Sequence, residues 1–243
     1  MEPYQALSGP RSGRKGESPA QGDLFFAQKP SQGGSCPEIH QVAFEAASPR
    51  PGLTWLDIGC GTGSLLRMAM STRPEQLIGV DVFDWLDDDL RPHVELLIGS
   101  AESVLAEHRR AADRVLLVEV IEHLEEPWSV LRTAARCLTP GGRIVVTTPN
   151  IASFRHRLEL LVRGQLTAFR PDNLPHMTPA LPHVVARVLT EEGLSVQETR
   201  YAGRDIISLT GGRLWPRALH TRFPRGTSVT VVIVADRTRD VGG

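Results

Sequence analysis

The stretch Trp55-Leu56-Asp57-Ile58-Gly59-Cys60-Gly61-Thr62-Gly63 places three glycines at alternate positions between an apolar run and an amphipathic one. Glycine is needed where a chain turns tightly and a ligand must come close to the backbone. A helix starting directly after the turn adds unpaired N–H groups at its first residues. The pattern therefore reads as strand, ligand-binding turn, helix, with Asp57 at the end of the strand. A dinucleotide fingerprint has a longer last spacing, Gly-x-Gly-x-x-Gly, that leaves room for a pyrophosphate. Here no pyrophosphate needs room, and the acid before the turn suits a ligand that carries an amino acid. Cys60 sits inside the turn, where a small side chain is the requirement. The other reading of such a turn is a plain strand-to-helix connection.

The same strand-then-helix unit repeats along the chain. Apolar runs at Thr54–Ile58, Gln76–Val82, Val94–Ile98, Arg114–Val120 and Arg143–Thr148 are the strand candidates. Amphipathic stretches Gly63–Ser71, Ser103–Ala111 and Pro127–Leu138 lie between them, with only a short acidic segment after Asp81. Continuous runs such as Val115-Leu116-Leu117-Val118 suit strands buried on both faces. Alternating β and α units imply a parallel sheet joined by right-handed crossovers. The predicted fold is α/β: a Rossmann-like, mostly parallel sheet with helices on both faces. Beyond Asn150 the rhythm changes. Ile151–Val162 and Thr178–Glu192 read as helices, Arg163–Pro175 as a loop, and Leu194–Arg200 and Ser228–Ala235 as two further strands. Residues 203–227 carry no clear period. Residues 1–35, rich in Gly, Pro, Ser and Gln, read as a largely disordered tail with Leu24-Phe25-Phe26 as a docking point. A short helix over Pro37–Ala47 opens the domain expected over 36–243, in which 151–178 would roof a pocket.

Composition narrows the function classes. The net charge of −1 gives no overall steering towards nucleic acid or an anionic membrane, although a basic patch can hide in a neutral average. Cys36, Cys60 and Cys137 are too few and too scattered for a disulfide framework or a zinc cluster. No apolar run reaches 18 residues and no signal-peptide core opens the chain, so a cytoplasmic protein with no membrane span is expected.

A second acid supports the ligand reading. Asp81 ends the apolar run Leu77-Ile78-Gly79-Val80-Asp81, where a carboxylate can accept both hydroxyls of a ribose. Val82 would then lie beside an adenine, and Ser100 and Ala101, after the third strand, beside its amino group. These residues, with Gly59, Cys60, Gly61 and Gly63 and with Glu119 at the end of the fourth strand, are the expected cofactor contacts. At this point the chain resembles class I S-adenosylmethionine (SAM)-dependent methyltransferases of the small-molecule and glycan type, from about Thr54 to Ala235. The resemblance is carried by Leu56–Gly63, by Glu119-Val120-Ile121-Glu122-His123-Leu124 and by Leu138-Thr139-Pro140-Gly141-Gly142-Arg143. It implies SAM as cofactor, S-adenosylhomocysteine as product, and a seven-stranded sheet whose last strand is antiparallel. Many relatives carry an aspartate where this chain has Ser100.

Glu119, Glu122 and His123 follow the fourth strand, at the carboxyl edge where open α/β sheets bind ligands. Two carboxylates and an imidazole at spacings of three and four residues share a face if a helical turn forms, which makes a candidate magnesium, manganese or zinc site. His176, in Asn173-Leu174-Pro175-His176-Met177-Thr178, is a candidate fourth ligand. The segment is similar to that of the small-RNA 2′-O-methyltransferases of plant silencing, whose resemblance implies a metal holding a terminal diol, and to that of ubiquinone-pathway O-methyltransferases, which act on catechols. His123 and His176 are also candidate general bases, since imidazole titrates near neutral pH. The bland alternative is acids in the first turn of a helix and a packed histidine. The expected activity is O-methylation of a small acceptor such as a sugar, a secondary metabolite or a catechol. The alternatives are methylation of RNA ribose, disfavoured by the neutral charge, and a non-catalytic partner protein. Phe154, Phe169 and Trp215 are packing residues or pocket walls. Arg155, Arg157, Arg163 and Arg170 are a solvated helix face or a sign of an anionic acceptor.

Overall fold

The computed structural model describes residues 37–107, 111–170, 173, 175–208, 210 and 212–238. The expected N-terminal tail and Cys36 lie outside the described residues. Seven strands form one sheet: β1 (Thr54–Ile58), β2 (Gln76–Asp81), β3 (Glu95–Ile98), β4 (Ala112–Leu117), β5 (Leu138–Pro149), β6 (Leu194–Arg204) and β7 (Ser228–Arg237). Their spatial order is 3-2-1-4-5-7-6. The pairs β1–β2, β1–β4, β2–β3 and β4–β5 are parallel, while β7 runs antiparallel to both neighbours, as expected. The sheet reverses its order at β1, and there the carboxyl ends of β1 and β4 open a crevice.

Among the described residues eight α-helices flank the sheet: α1 (Pro37–Ala46), α2 (Ser64–Met70), α3 (Ala101–Glu107), α4 (Pro127–Arg136), α5 (Phe154–Arg163), α6 (Pro182–Glu191), α7 (Arg217–Arg222) and α8 (Pro224–Thr227). The period of two within each strand divides the core. Leu56, Ile58, Val115 and Leu117 face the cluster built with α3, α4 and α6. Trp55 and Leu116 face the cluster built with α1 and α2. All six are fully buried, each worth about 1.5–3 kcal/mol for its apolar surface. An ion pair fastens α1 to the sheet. Arg143 on β5 bonds Asp236 on β7 at 2.6 and 2.8 Å, and also the Ala46 carbonyl at 3.0 Å and Ser48 Oγ at 2.6 Å.

β6 runs on to Arg204, past the expected Arg200, and two other strands differ more. β5 begins at Leu138, with Thr139-Pro140-Gly141-Gly142 looped out where the pairing jumps from Ala112↔Leu138 to Arg114↔Arg143. Gly141 is left-handed, and a Cβ on Gly142 would lie 2.8 Å from the Thr139 carbonyl oxygen, so both glycines are needed there. Asp113 staples the turn, accepting from Thr139 Oγ1 at 2.7 Å and from Thr54 N at 2.9 Å. β4 stops at Leu117, short of the expected Val120, because Glu119 takes a left-handed φ of 58° that turns the chain out of the sheet. Residues 203–227, without period in the sequence, hold the end of β6, α7, α8 and an isolated bridge between Ile206 and Leu214.

Candidate active site

The glycine-rich turn sits at the carboxyl end of β1, and its three glycines, all left-handed, do different work. A Cβ on Gly59 would lie 2.3 Å from Val120 Cγ2, so the missing side chain lets the chain leaving β4 cross close to the turn. A Cβ on Gly63 would lie 2.5 Å from Leu90 and 2.7 Å from Leu86, so this glycine admits the segment after β2. Gly61 presents its N–H to Asp81 Oδ2 at 2.8 Å. Cys60 is buried against Gly79 of β2, where a Cβ would meet its Sγ at 2.8 Å. Burial, with the negative charge of Asp57 and Asp81, pushes its thiol far up, so it is inert. Asp57 is buried beneath the turn. Its carboxyl is pushed up to about 8, first by burial and then by Asp81. A cation arriving from the crevice would relieve both effects.

The turn opens into a cavity of about 1110 Å³ walled by β1, β2, the chain after β4, α1, and Asn173, Pro175 and His176. Ligand sites commonly hold about 300–1,000 Å³, so there is room for a cofactor and a second molecule. Asp57, Gly59, Cys60, Gly61, Asp81, Val82, Ala101, Glu119, His123 and His176 all line it. Two expected contacts stand apart. Gly63 packs on Leu86 and Leu90, and Ser100 accepts the Ser103 N–H at 3.2 Å, capping α3. His40 and Gln41 of α1 also line the cavity. Nothing in the amphipathic pattern of that helix singled them out.

Beyond β4, Ile121–His123 form one turn of 3₁₀ helix. The loop carrying His176 is tied onto it: Met177 N and Thr178 N donate to the Glu122 carbonyl at 2.8 and 3.1 Å, and Thr178 Oγ1 to the Leu124 carbonyl at 3.0 Å. This brings ligand atoms of Glu122, His123 and His176 within 4.8 Å of one another. The imidazoles meet edge to face, 4.8 Å between centroids. Glu119 takes another direction. Its Oε1 accepts from Thr147 Oγ1 on β5 at 3.1 Å and from Thr230 Oγ1 on β7 at 3.4 Å, and its N–H donates to Thr147 Oγ1 at 2.8 Å. Neither threonine carried a signal in the sequence, because threonine is ordinary in strands.

The electrostatics of this cluster favour neutral forms. Burial pushes Glu122 up to about 8, aided by the charge of Glu119. Burial lowers both histidines, and His123 lowers His176 further. His123 Nδ1 lies 2.8 Å from the Pro175 carbonyl oxygen, so the proton is assigned to Nδ1 and the Nε2 lone pair is left for another partner. Glu122 Oε2 and His176 Nδ1 are buried with no hydrogen-bond partner among the described residues. Orphaned acceptors beside a second imidazole fit a divalent cation held by Glu122, His123 and His176.

A second cavity of about 410 Å³ adjoins the first and shares Glu119 and His176 with it. Its far wall holds Arg155 of α5 and Asp205, 3.4 Å apart, and His156. His156 is structural: its ring contacts Ser153 Oγ at 3.1 Å and its Nε2 accepts from Ala168 N at 3.2 Å. His183 is exposed on α6. The Phe154 ring meets Trp215 at a tilt, 5.9 Å between centroids, and Phe169 meets His176 likewise at 5.6 Å.

A parallel sheet of order 3-2-1-4-5 closed by an antiparallel β7, with a glycine turn between two acids, defines the Rossmann-like SAM-dependent methyltransferases. A methyltransferase-domain family model matches residues 32–199, so the chain belongs to that family and is a SAM-dependent methyltransferase. It is similar to a ubiquinone biosynthesis O-methyltransferase of Xanthomonas campestris pv. campestris (strain B100), 32% identical over 184 residues that cover 72% of this chain and 76% of that protein. It is also similar to the human mitochondrial ubiquinone biosynthesis O-methyltransferase, 27% identical over 63% of this chain but only 44% of that protein's length. Among solved structures, a SAM-dependent methyltransferase from Archaeoglobus fulgidus shares the fold with TM-score 0.58 and 18% identity, covering 90% of this chain and all of that one. The N-methyltransferase NodS of Bradyrhizobium japonicum, solved with S-adenosylhomocysteine, shares it with TM-score 0.54 and 15% identity, over 82% of this chain and 85% of that one. No helix among the described residues is long and apolar enough to cross a membrane.

Proposed function

We propose that this methyltransferase transfers methyl to a hydroxyl of a small acceptor bearing adjacent oxygens, with a divalent cation held by Glu122, His123 and His176. The observation that carries the proposal is that cluster, in which Glu122 Oε2 and His176 Nδ1 are orphaned and His176 lines both the cofactor cavity and the second one. The likeness to ubiquinone biosynthesis O-methyltransferases supports oxygen as the methylated atom. Asp81 would accept the ribose hydroxyls of the cofactor, Asp57 would face its amino group, and Val82 and Ala101 would flank its adenine. Held by Glu122, His123 and His176, such a cation would supply a Lewis acid able to lower the pKa of a hydroxyl beside a second oxygen. His123, neutral and protonated on Nδ1, would give its Nε2 lone pair to the cation, so the acceptor proton would pass to solvent as the oxygen–carbon bond forms and the carbon–sulfur bond breaks in line. Positioning of the two reactants does most of the work. Arg155 and His156 of α5, with Ala168 and His176, would wall the acceptor in the second cavity.

The test is a manganese titration by calorimetry into chelator-stripped protein loaded with S-adenosylhomocysteine. Saturable binding that falls at least tenfold in both Glu122→Gln and His176→Ala is expected, together with methylation of catechol over phenol. Absence of binding in the unmodified protein retires the cation. Equal turnover of catechol and phenol retires the adjacent oxygens.

A further inference from the structure

Helix α5 is turned inside out. Phe154, Leu158, Leu161 and Val162 recur at the spacing of one helical stripe, the stripe that normally packs on a core. The only buried residue of this helix is instead His156, on the opposite side. Phe154 packs on Trp215 and Gly226, but the stripe then runs outward: Leu158 is 38% exposed, Val162 70% and Leu161 84%. Leu214, Leu219 and Phe223, from the segment that Phe154 touches, are also exposed. Large apolar side chains grouped this way on a described surface mark something that covers them.

The charge around the stripe is as uneven. Residues 151–170 and 206–227 together hold eight arginines and one acid, Glu159. They carry +7 in a chain whose net charge is −1, which leaves the remainder at −8. We propose that α5 and the 212–225 segment form a docking surface for an anionic lipid bilayer. Leucine and valine would enter the headgroup boundary and arginines would pair with lipid phosphates and carboxyl groups. A second copy of the chain is a poor occupant, since it would bring +7 against +7. The 36 residues before α1 are a poor one too, with four basic and three acidic side chains and hence no complementary charge. An anionic bilayer offers both an apolar layer and an opposite charge at one surface.

The experiment is co-sedimentation of the full chain with vesicles of phosphatidylcholine alone and of equal parts phosphatidylcholine and phosphatidylglycerol. Binding is expected to the second and to fall with added salt. Arg217→Gln should weaken it about fivefold, the factor for about 1 kcal/mol per surface cation. Leu161→Glu should weaken it more than tenfold while S-adenosylhomocysteine affinity stays unchanged, because this side chain lies outside both cavities. Equal binding to both vesicle types, no binding to the anionic ones, or indifference to Leu161→Glu overturns the proposal. So does a dimer that Leu161→Glu dissociates.

Discussion

Replacing Gly59 by alanine separates two costs that the structure assigns to one residue. The first is conformational: φ is +75°, and a left-handed residue with a Cβ costs about 1–2 kcal/mol. The second is steric, because the new Cβ would sit 2.3 Å from Val120 Cγ2, and forced overpacking costs about 1–3 kcal/mol. Gly52 supplies the control. It has a φ of +72°, but a Cβ there meets nothing within 4 Å, so Gly52→Ala should show the conformational cost alone. The predicted difference is about 1–3 kcal/mol in urea unfolding, or roughly 2–12 °C in melting temperature for a chain of this size. Val120 leads directly into the turn of Ile121–His123, so Gly59→Ala should also weaken S-adenosylhomocysteine at least tenfold by calorimetry, while Gly52→Ala leaves it unchanged. Equal losses of stability in the two variants would refute the reasoning, because they would mean that β4 and the glycine turn do not meet as described.

Asp57 predicts a pH dependence. Its folded pKa, about 8, lies above the unfolded value, so the folded protein holds the proton more tightly. Its neutral form therefore contributes stability in full below about pH 4, and that stability is lost as pH rises towards 8. Urea midpoints from pH 5 to 8.5 should fall in the unliganded protein and flatten in Asp57→Asn. Asp236→Ala removes both charged hydrogen bonds to Arg143, which should cost about 1.5–3 kcal/mol. It should also raise hydrogen exchange in α1, which Arg143 holds through the Ala46 carbonyl.

The chemistry of this chain was easier to read than its path. Asp57, the glycines and Asp81 announce a ligand turn because glycine spacing and strand-end acids are local signals, and all lie within one stretch of 25 residues. The order of the strands is a different matter: periodicity shows that a run is buried, not which neighbour it takes, and the antiparallel β7 was expected only from family resemblance. The end of β4 was misplaced for a physical reason. Val118, Glu119 and Val120 have the composition of a strand, but the space beside Gly59 draws Val120 out of the sheet. That turn also sends Glu119 to Thr147 and Thr230, apart from Glu122 and the two histidines, a division that the spacing of Glu-x-x-Glu-His does not carry. Ser100 looked like a cofactor contact, yet serine before a helix is as readily its cap, and here it is.

The place of β7 between β5 and β6 sets an order of events for a chain still being made. β5 ends at Pro149 and β7 starts at Ser228, so at about 5–20 residues per second the ribosome takes several seconds to supply the strand that β5 awaits. During that interval β5 is an open edge of unpaired N–H and C=O groups, with Ile144, Val145 and Val146 at its centre. β6 emerges first and runs parallel to β5, so the two can zip together directly and leave β7 no slot. The native order therefore requires β5 to pair with the later strand β7 rather than with β6, which is made first.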